Sequence, residues 1–125
     1  MQLTQELPDY TYALKSADGR SARVNDLVLE HSFILMPDQL VREWPAGSDA
    51  AALQPGQMIP VLELQPALVL LGTGTRQVFP SVEVMAAFLT RGIGIEVMDN
   101  AAAARTYNVL ASEGRRVAAA FLLGS

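Results

Sequence analysis

The sequence predicts an α/β domain in which an antiparallel β part precedes a β-α-β-α-β half built on a parallel sheet. Three observations carry that expectation. The chain has 125 residues and a mass of 13.4 kDa, enough to bury roughly two thirds of its unfolded surface around one core, so residues 1–125 are expected to form a single domain. The hydrophobic pattern changes at Pro45-Ala46-Gly47-Ser48-Asp49: before this seam apolar residues alternate with period two, and after it strand-length apolar runs alternate with helix-length segments. Finally, Ala67-Leu68-Val69-Leu70-Leu71 is a continuous apolar run ending at Gly72, the pattern of a strand covered on both faces.

The elements follow in order. Tyr10, Tyr12 and Leu14 alternate with Thr11 and Ala13, and Ser16-Ala17-Asp18-Gly19 supplies hairpin-turn chemistry before a returning strand over 21–24. Residues 27–36 read as a further strand or pair of strands closed by Pro37-Asp38, and 40–44 as a short edge strand ahead of Pro45. Beyond the seam, Met58, Val61 and Leu62 recur at helical spacing, and Pro55 and Pro60 confine that helix to a short one. Ser81 caps the next helix, whose face carries Val84, Met85 and Phe88, and Gly92 stands at its stop. A strand over 93–98 follows. Asp99 then caps a helix over 100–113 that ends at Gly114, and 117–123 supply the last strand. Short connections between strands and helices in this order call for right-handed crossovers and a parallel sheet.

Composition narrows the chemistry. Half of the residues are hydrophobic and 18% are charged, which excludes a disordered chain, and no apolar run is long enough to insert in a membrane. Cysteine is absent and histidine occurs once, at His31, excluding disulfides, thiol nucleophiles, Cys-ligated zinc and sites of several imidazoles. A net charge of -4 and a pI near 4.8 oppose the positive field that nucleic acid or anionic lipid requires. The charge is uneven: residues 1–71 carry four basic and nine acidic groups, and residues 72–125 five and four. All five basic groups of the second part are arginines. The amino terminus has neither the basic start and apolar core of a secretory signal nor the arginines of a transit peptide, so a cytoplasmic protein is expected.

Two segments fall at the carboxyl ends of the parallel strands, where open sheets bind ligands. In Gly72-Thr73-Gly74-Thr75-Arg76, two glycines permit close backbone approach and leave N–H groups free for an anion or a partner carbonyl. The second segment is Met98-Asp99-Asn100, in which Asp99 stands where a dinucleotide-binding fold places its ribose carboxylate. The loop lacks the third glycine of that fingerprint, however, and Gln77-Val78-Phe79-Pro80 intervenes before the helix. The alternative is a tight turn followed by an ordinary Asp cap, and the incomplete fingerprint favours it.

A second polar group comprises Arg105, Tyr107 and Asn108 in the last helix with Glu96, Glu113, Arg115 and Arg116 around it. The arginines and Asn108 suit a carboxylate or phosphate. The structural reading is favoured: Glu96, between Ile95 and Val97, pairs with Arg116, or with Arg105 or Arg115, while Tyr107 anchors the helix to the sheet. His31, beside Glu30, has no nucleophile or acid partner in view and reads as a partly exposed sheet residue.

Leu71-Gly72-Thr73-Gly74, Gly92-Ile93-Gly94-Ile95-Glu96-Val97-Met98-Asp99, Arg105-Thr106-Tyr107-Asn108-Val109-Leu110 and Glu113-Gly114-Arg115-Arg116-Val117-Ala118-Ala119-Ala120 resemble, in order, the Mth-like domain family of unknown function. That family includes mitochondrial complex I assembly factor 3 and the adipogenesis-associated Mth domain-containing protein. The resemblance covers nearly the whole chain and implies a three-layer, Rossmann-like α/β domain. It implies no catalytic residue and no cofactor, and it points to a protein partner, a membrane complex during its assembly. Asn100 stands where the family usually has threonine, and Ala104 where many members have cysteine.

The leading expectation is a non-enzymatic interaction or assembly module using the 72–76 loop and neighbouring surface. The alternative is a small-molecule or nucleotide-binding protein using Gly72, Thr73, Gly74, Arg76, Asp99 and Arg105. A third reading is a homo-oligomer joined through an edge strand of the amino-terminal half.

Overall fold

Alternation places Leu14, Ala22, Val24 and Leu29 on one buried face of three short antiparallel strands, β1 (Leu14–Ala17), β2 (Ala22–Val24) and β3 (Leu27–Leu29), in the order β1-β2-β3. The computed structural model describes residues 11–124, so the Tyr10 end of the expected first strand lies outside the described residues. The turn between β1 and β2 sits two residues later than the expected 16–19. Asp18 fixes it: its carboxylate accepts the N–H groups of Arg20 and Ser21, each at 2.8 Å, while its own N–H donates to the Ser21 carbonyl at 2.9 Å.

The stretch over 27–36 is a pair of strands belonging to two different sheets. β4 (Phe33–Met36) opens the second sheet and β5 (Gln39–Val41) returns antiparallel to it. His31 lies exposed in the connection between β3 and β4, outside any strand. The expected edge strand over 40–44 is shorter than its pattern suggested because Trp44 turns into the core, 3% exposed, with its indole N–H donating to the Gln57 carbonyl at 2.7 Å. A 3-10 turn at Ala50–Ala52, capped by Asp49, and another at Pro55–Met58 lead into α1 (Ile59–Leu62).

The second half runs β6 (Leu68–Gly72), α2 (Val82–Leu89), β7 (Gly94–Met98), α3 (Asn100–Ser112), β8 (Val117–Phe121). Ser81 and Asp99 cap the two long helices, accepting from the N–H of Val84 and Ala102. The sheet order is β5-β4-β8-β6-β7, with β6 parallel to both β7 and β8, and β4 antiparallel to β8. The sheet is therefore mixed, a parallel core extended by an antiparallel pair. Consecutive residues of β6 serve opposite cores: Val69 and Leu71 pack with Val84 and Phe88 of α2, Leu70 with Tyr107 of α3, Leu14 and Phe33. β8 is buried throughout, and its run Ala118-Ala119-Ala120 lets both covering layers approach closely. Phe33 and Phe121, register partners on β4 and β8, stack at 5.0 Å.

The result is a three-layer, Rossmann-like α/β fold. The five-stranded sheet is sandwiched between α1, α2 and the Trp44 segment on one side and α3 with the three-stranded sheet on the other. Asn108 fastens the small sheet to α3, accepting the Leu14 N–H at 3.2 Å and donating to the Leu14 carbonyl at 2.7 Å. Its amide thus acts as a strand partner for the outer edge of β1. The Tyr107 hydroxyl donates to the Tyr12 carbonyl at 2.8 Å, which ties α3 to the segment just ahead of β1.

Candidate functional site at the strand ends

The chain leaves β6 through Gly72 and turns at Thr73 and Gly74. Gly72 has no room for a β-carbon, which would meet the Asn100 Oδ1 and, at 2.9 Å, the Phe121 ring. Gly74 has open space around it and a φ of 98°, a backbone region that favours glycine. The N–H groups of this turn are taken. Thr73 donates to the Met98 carbonyl at 3.0 Å and Gly74 to the Asn100 Oδ1 at 3.1 Å. The Thr73 hydroxyl donates to the Arg76 carbonyl and accepts the Val78 N–H. Of the N–H groups expected to be free in the 72–76 loop, those of Thr73 and Gly74 are consumed by the fold itself.

Asn100 is the centre of this arrangement and is fully buried. Its amide nitrogen donates to the Asp18 carbonyl at 2.8 Å and the Leu122 carbonyl at 3.0 Å, and its main-chain N–H to the Gly74 carbonyl at 2.8 Å. One side chain thus ties together the β1–β2 turn, the loop after β6 and the end of β8. Sequence reading placed Asn100 in the strand-end segment Met98-Asp99-Asn100 and noted it as a departure from the family pattern, but gave its side chain no role. The available signal was an amide directly after the capping Asp99, at a strand end facing a Gly-Thr-Gly turn.

Above this knot lies a cleft of about 620 Å³ lined by residues of the β1–β2 turn, the 48–50 segment, Thr73 to Arg76 and the end of the chain past β8. Gly74, Thr75 and Arg76 line it, joined by Asp18, Arg20 and Asp49, which sequence reading did not select. The amides of Ser21 and Arg20 hold the Asp18 carboxyl below the usual carboxylate range, helped by the Arg20 charge.

The other expected site residues lie elsewhere. Asp99 is occupied at the start of α3, accepting the Ala102 N–H at 2.8 Å. Arg105 is exposed on α3 and lines a separate shallow cleft beside β1 with Lys15 and Asn108. Glu96 is exposed on the edge strand β7, beyond the part of the sheet that α3 covers. It makes no ion pair among the described residues. Arg116 turns instead to the carbonyls of Leu64 and Gln65, at 2.7 and 2.9 Å. Glu113 and Arg115 are exposed around the end of α3. Among the described residues, no side-chain hydrogen bond or ion pair joins Glu96, Glu113, Arg115 and Arg116 to one another. Among the described residues, no group of His, Asp or Glu is placed to hold a metal ion.

Gln77 has a role on the far side of the loop. Its amide donates to the Val97 carbonyl at 2.9 Å. The Met98 carbonyl serves Thr73 on the inner side, so the Val97 carbonyl faces outward, and Gln77 covers part of the open edge of β7.

A family model described as a protein of unknown function (DUF498/DUF598) matches residues 14–122. The rat NADH dehydrogenase (ubiquinone) 1 alpha subcomplex assembly factor 3 is 30% identical over 121 residues, 96% of this chain and 64% of that protein. The chain thus spans less than two thirds of that relative's length. A 13 kDa major membrane protein of Francisella tularensis is 28% identical over 87 residues, 70% of this chain and 71% of that one. Its name sets that protein at a membrane, which the cytoplasmic expectation did not include. No helix among the described residues is long and apolar enough to cross a membrane. An NMR structure from Xanthomonas campestris superposes with a TM-score of 0.83 at 65% identity, covering 99% of this chain and 93% of that one. A Mth938-like domain protein of Bordetella pertussis does so with 0.80 at 28% identity, covering 98% and 92%. The chain belongs to the Mth-like family of α/β domains, the family of unknown function DUF498/DUF598.

Proposed function

We propose that this chain is a non-catalytic protein-interaction module that serves the assembly of a protein complex, docking its partner on the surface formed by residues 75–82 and the outer face of α2. The observation that carries this reading is the exposure of Phe79, 61%, and Val82, 79%, directly after the exposed Thr75, Arg76 and Gln77. Leu89, seven residues beyond Val82, is also exposed and shares its helix face. Covering a phenylalanine and a valine on a partner is worth about 1.5 to 3 kcal/mol each, and an apolar patch rimmed by a cation suits a protein surface. The similarity to the rat assembly factor supports the same reading.

The test is recovery of partners from native lysate by tagged wild type and by Phe79→Ser/Val82→Ser. Both side chains point to solvent, so the double variant keeps the fold. The expected result is a specific co-purifying protein whose recovery falls in the double variant and in Arg76→Glu. Equal recovery by all three proteins would contradict the proposed surface.

A further inference from the structure

We infer that the cleft above the strand ends is a binding site for a small polyanion, a molecule of metabolite size carrying carboxylate or phosphate groups gripped by Arg20 and Arg76. The cleft has about 620 Å³, within the range that holds a small ligand. Its two cations come from different segments, the β1–β2 turn and the loop after β6. Neither guanidinium makes a hydrogen bond or ion pair among the described residues, and both are exposed. Two guanidinium forks on separate segments of one cleft suit a molecule with two oxyanion groups better than a single ion.

The acidic residues in the same cleft do not close it to an anion. Asp18 accepts the Arg20 and Ser21 N–H groups and Asp49 the Ala51 N–H, so both carboxylates face main-chain donors of their own turns. The main-chain N–H groups of Thr75 and Arg76, unlike those of Thr73 and Gly74, have no partner among the described residues. They add donors on the side of the cleft where Arg76 begins. Because Asn100 already occupies the crevice at Thr73 and Gly74, the ligand sits outward of the position a dinucleotide pyrophosphate would take. This site shares Thr75 and Arg76 with the docking surface proposed above but depends on Arg20 and not on Phe79 or Val82, so Arg20→Gln reports on the cleft alone and Phe79→Ser/Val82→Ser on the docking surface alone.

The test uses the full chain, with citrate and pyrophosphate as probes against sodium chloride at matched ionic strength, read by melting temperature and by amide chemical shifts. The expected result is a saturating rise in Tm with one or both probes, with the largest shifts at Gly19, Thr75 and Arg76. Arg20→Gln and Arg76→Gln should each weaken binding about tenfold or more, and Arg42→Gln, at a surface arginine outside the cleft, should leave it unchanged. The inference is overturned by a response no larger than that of sodium chloride, or by equal weakening in Arg42→Gln. It is also overturned if only an acetylated tetraglutamate peptide saturates the site, since the ligand would then be a segment of a protein.

Discussion

Gly74 and Asn100 exchange two hydrogen bonds, one from the Gly74 N–H to the Asn100 side-chain oxygen at 3.1 Å and one from the Asn100 N–H back to the Gly74 carbonyl at 2.8 Å. The exchange locks the loop after β6 to the start of α3, and the two remaining donors of the same amide reach Asp18 and Leu122. Thr73 and Gln77 fix the rest of the loop to the Met98 and Val97 carbonyls of β7.

Replacing Asn100 by alanine strands the Gly74 N–H, the buried Leu122 carbonyl and the part-buried Asp18 carbonyl. With each unsatisfied group costing about 1 to 3 kcal/mol and partial rescue by water, the loss of stability should be on the order of 2 to 4 kcal/mol. Chemical denaturation measures it. A midpoint close to that of wild type would show that Asn100 does not hold these segments.

Gly72 and Gly74 should respond to alanine for different reasons. At Gly72 the new β-carbon meets the Asn100 Oδ1 and the Phe121 ring, both packed in the core, so the whole knot must shift and Tm should fall sharply. At Gly74 the site is open and only the positive φ resists, at a cost of about 1 kcal/mol. Gly74→Ala as damaging as Gly72→Ala would place the close approach at the wrong residue.

Leu70→Ala empties a fully buried position between β6, α3 and the small sheet. The expected destabilisation is about 2 to 5 kcal/mol. An unchanged denaturation midpoint would remove Leu70 from the core and with it the two-sided burial of β6.

Much of this architecture was legible in the sequence because it follows from local rules. Ser81 and Asp99 announced their helices, and the run from Leu68 to Leu71 announced a strand covered on both faces. What was illegible depends on tertiary position. A carboxylate between Ile95 and Val97 looks buried, yet β7 is an edge strand and Glu96 is in water; no single segment reveals which strand is outermost. Arg116 then had a stronger claim from the carbonyls of Leu64 and Gln65, where Gln65 has a positive φ of 54°. For the candidate site, the 72–76 loop was found through its glycines. Arg20 and Asp49 were missed because they reach the cleft only when the first hairpin and the seam segment fold over the strand ends.

Asp18 offers a pH-dependent signature of the hairpin. Its folded-state pKa is lowered by the Ser21 and Arg20 amides, so its contribution to stability is complete above the unfolded carboxylate pKa and is lost as pH falls through the lower folded value. An NMR titration should give Asp18 a midpoint below that of an ordinary exposed aspartate, and Asp18→Asn should flatten that part of the acid dependence of Tm. A midpoint at or above the ordinary value would mean the turn is not closed by this carboxylate.

Docking of a protein on residues 75–82 and the outer face of α2 can be read from a photo-crosslinking residue placed in the native cell at position 79, at 82 or, for comparison, at Val109, an exposed position on α3. A discrete adduct of higher mass is expected from positions 79 and 82 and none from 109. Adducts absent from 79 and 82, or as abundant from 109, would contradict it.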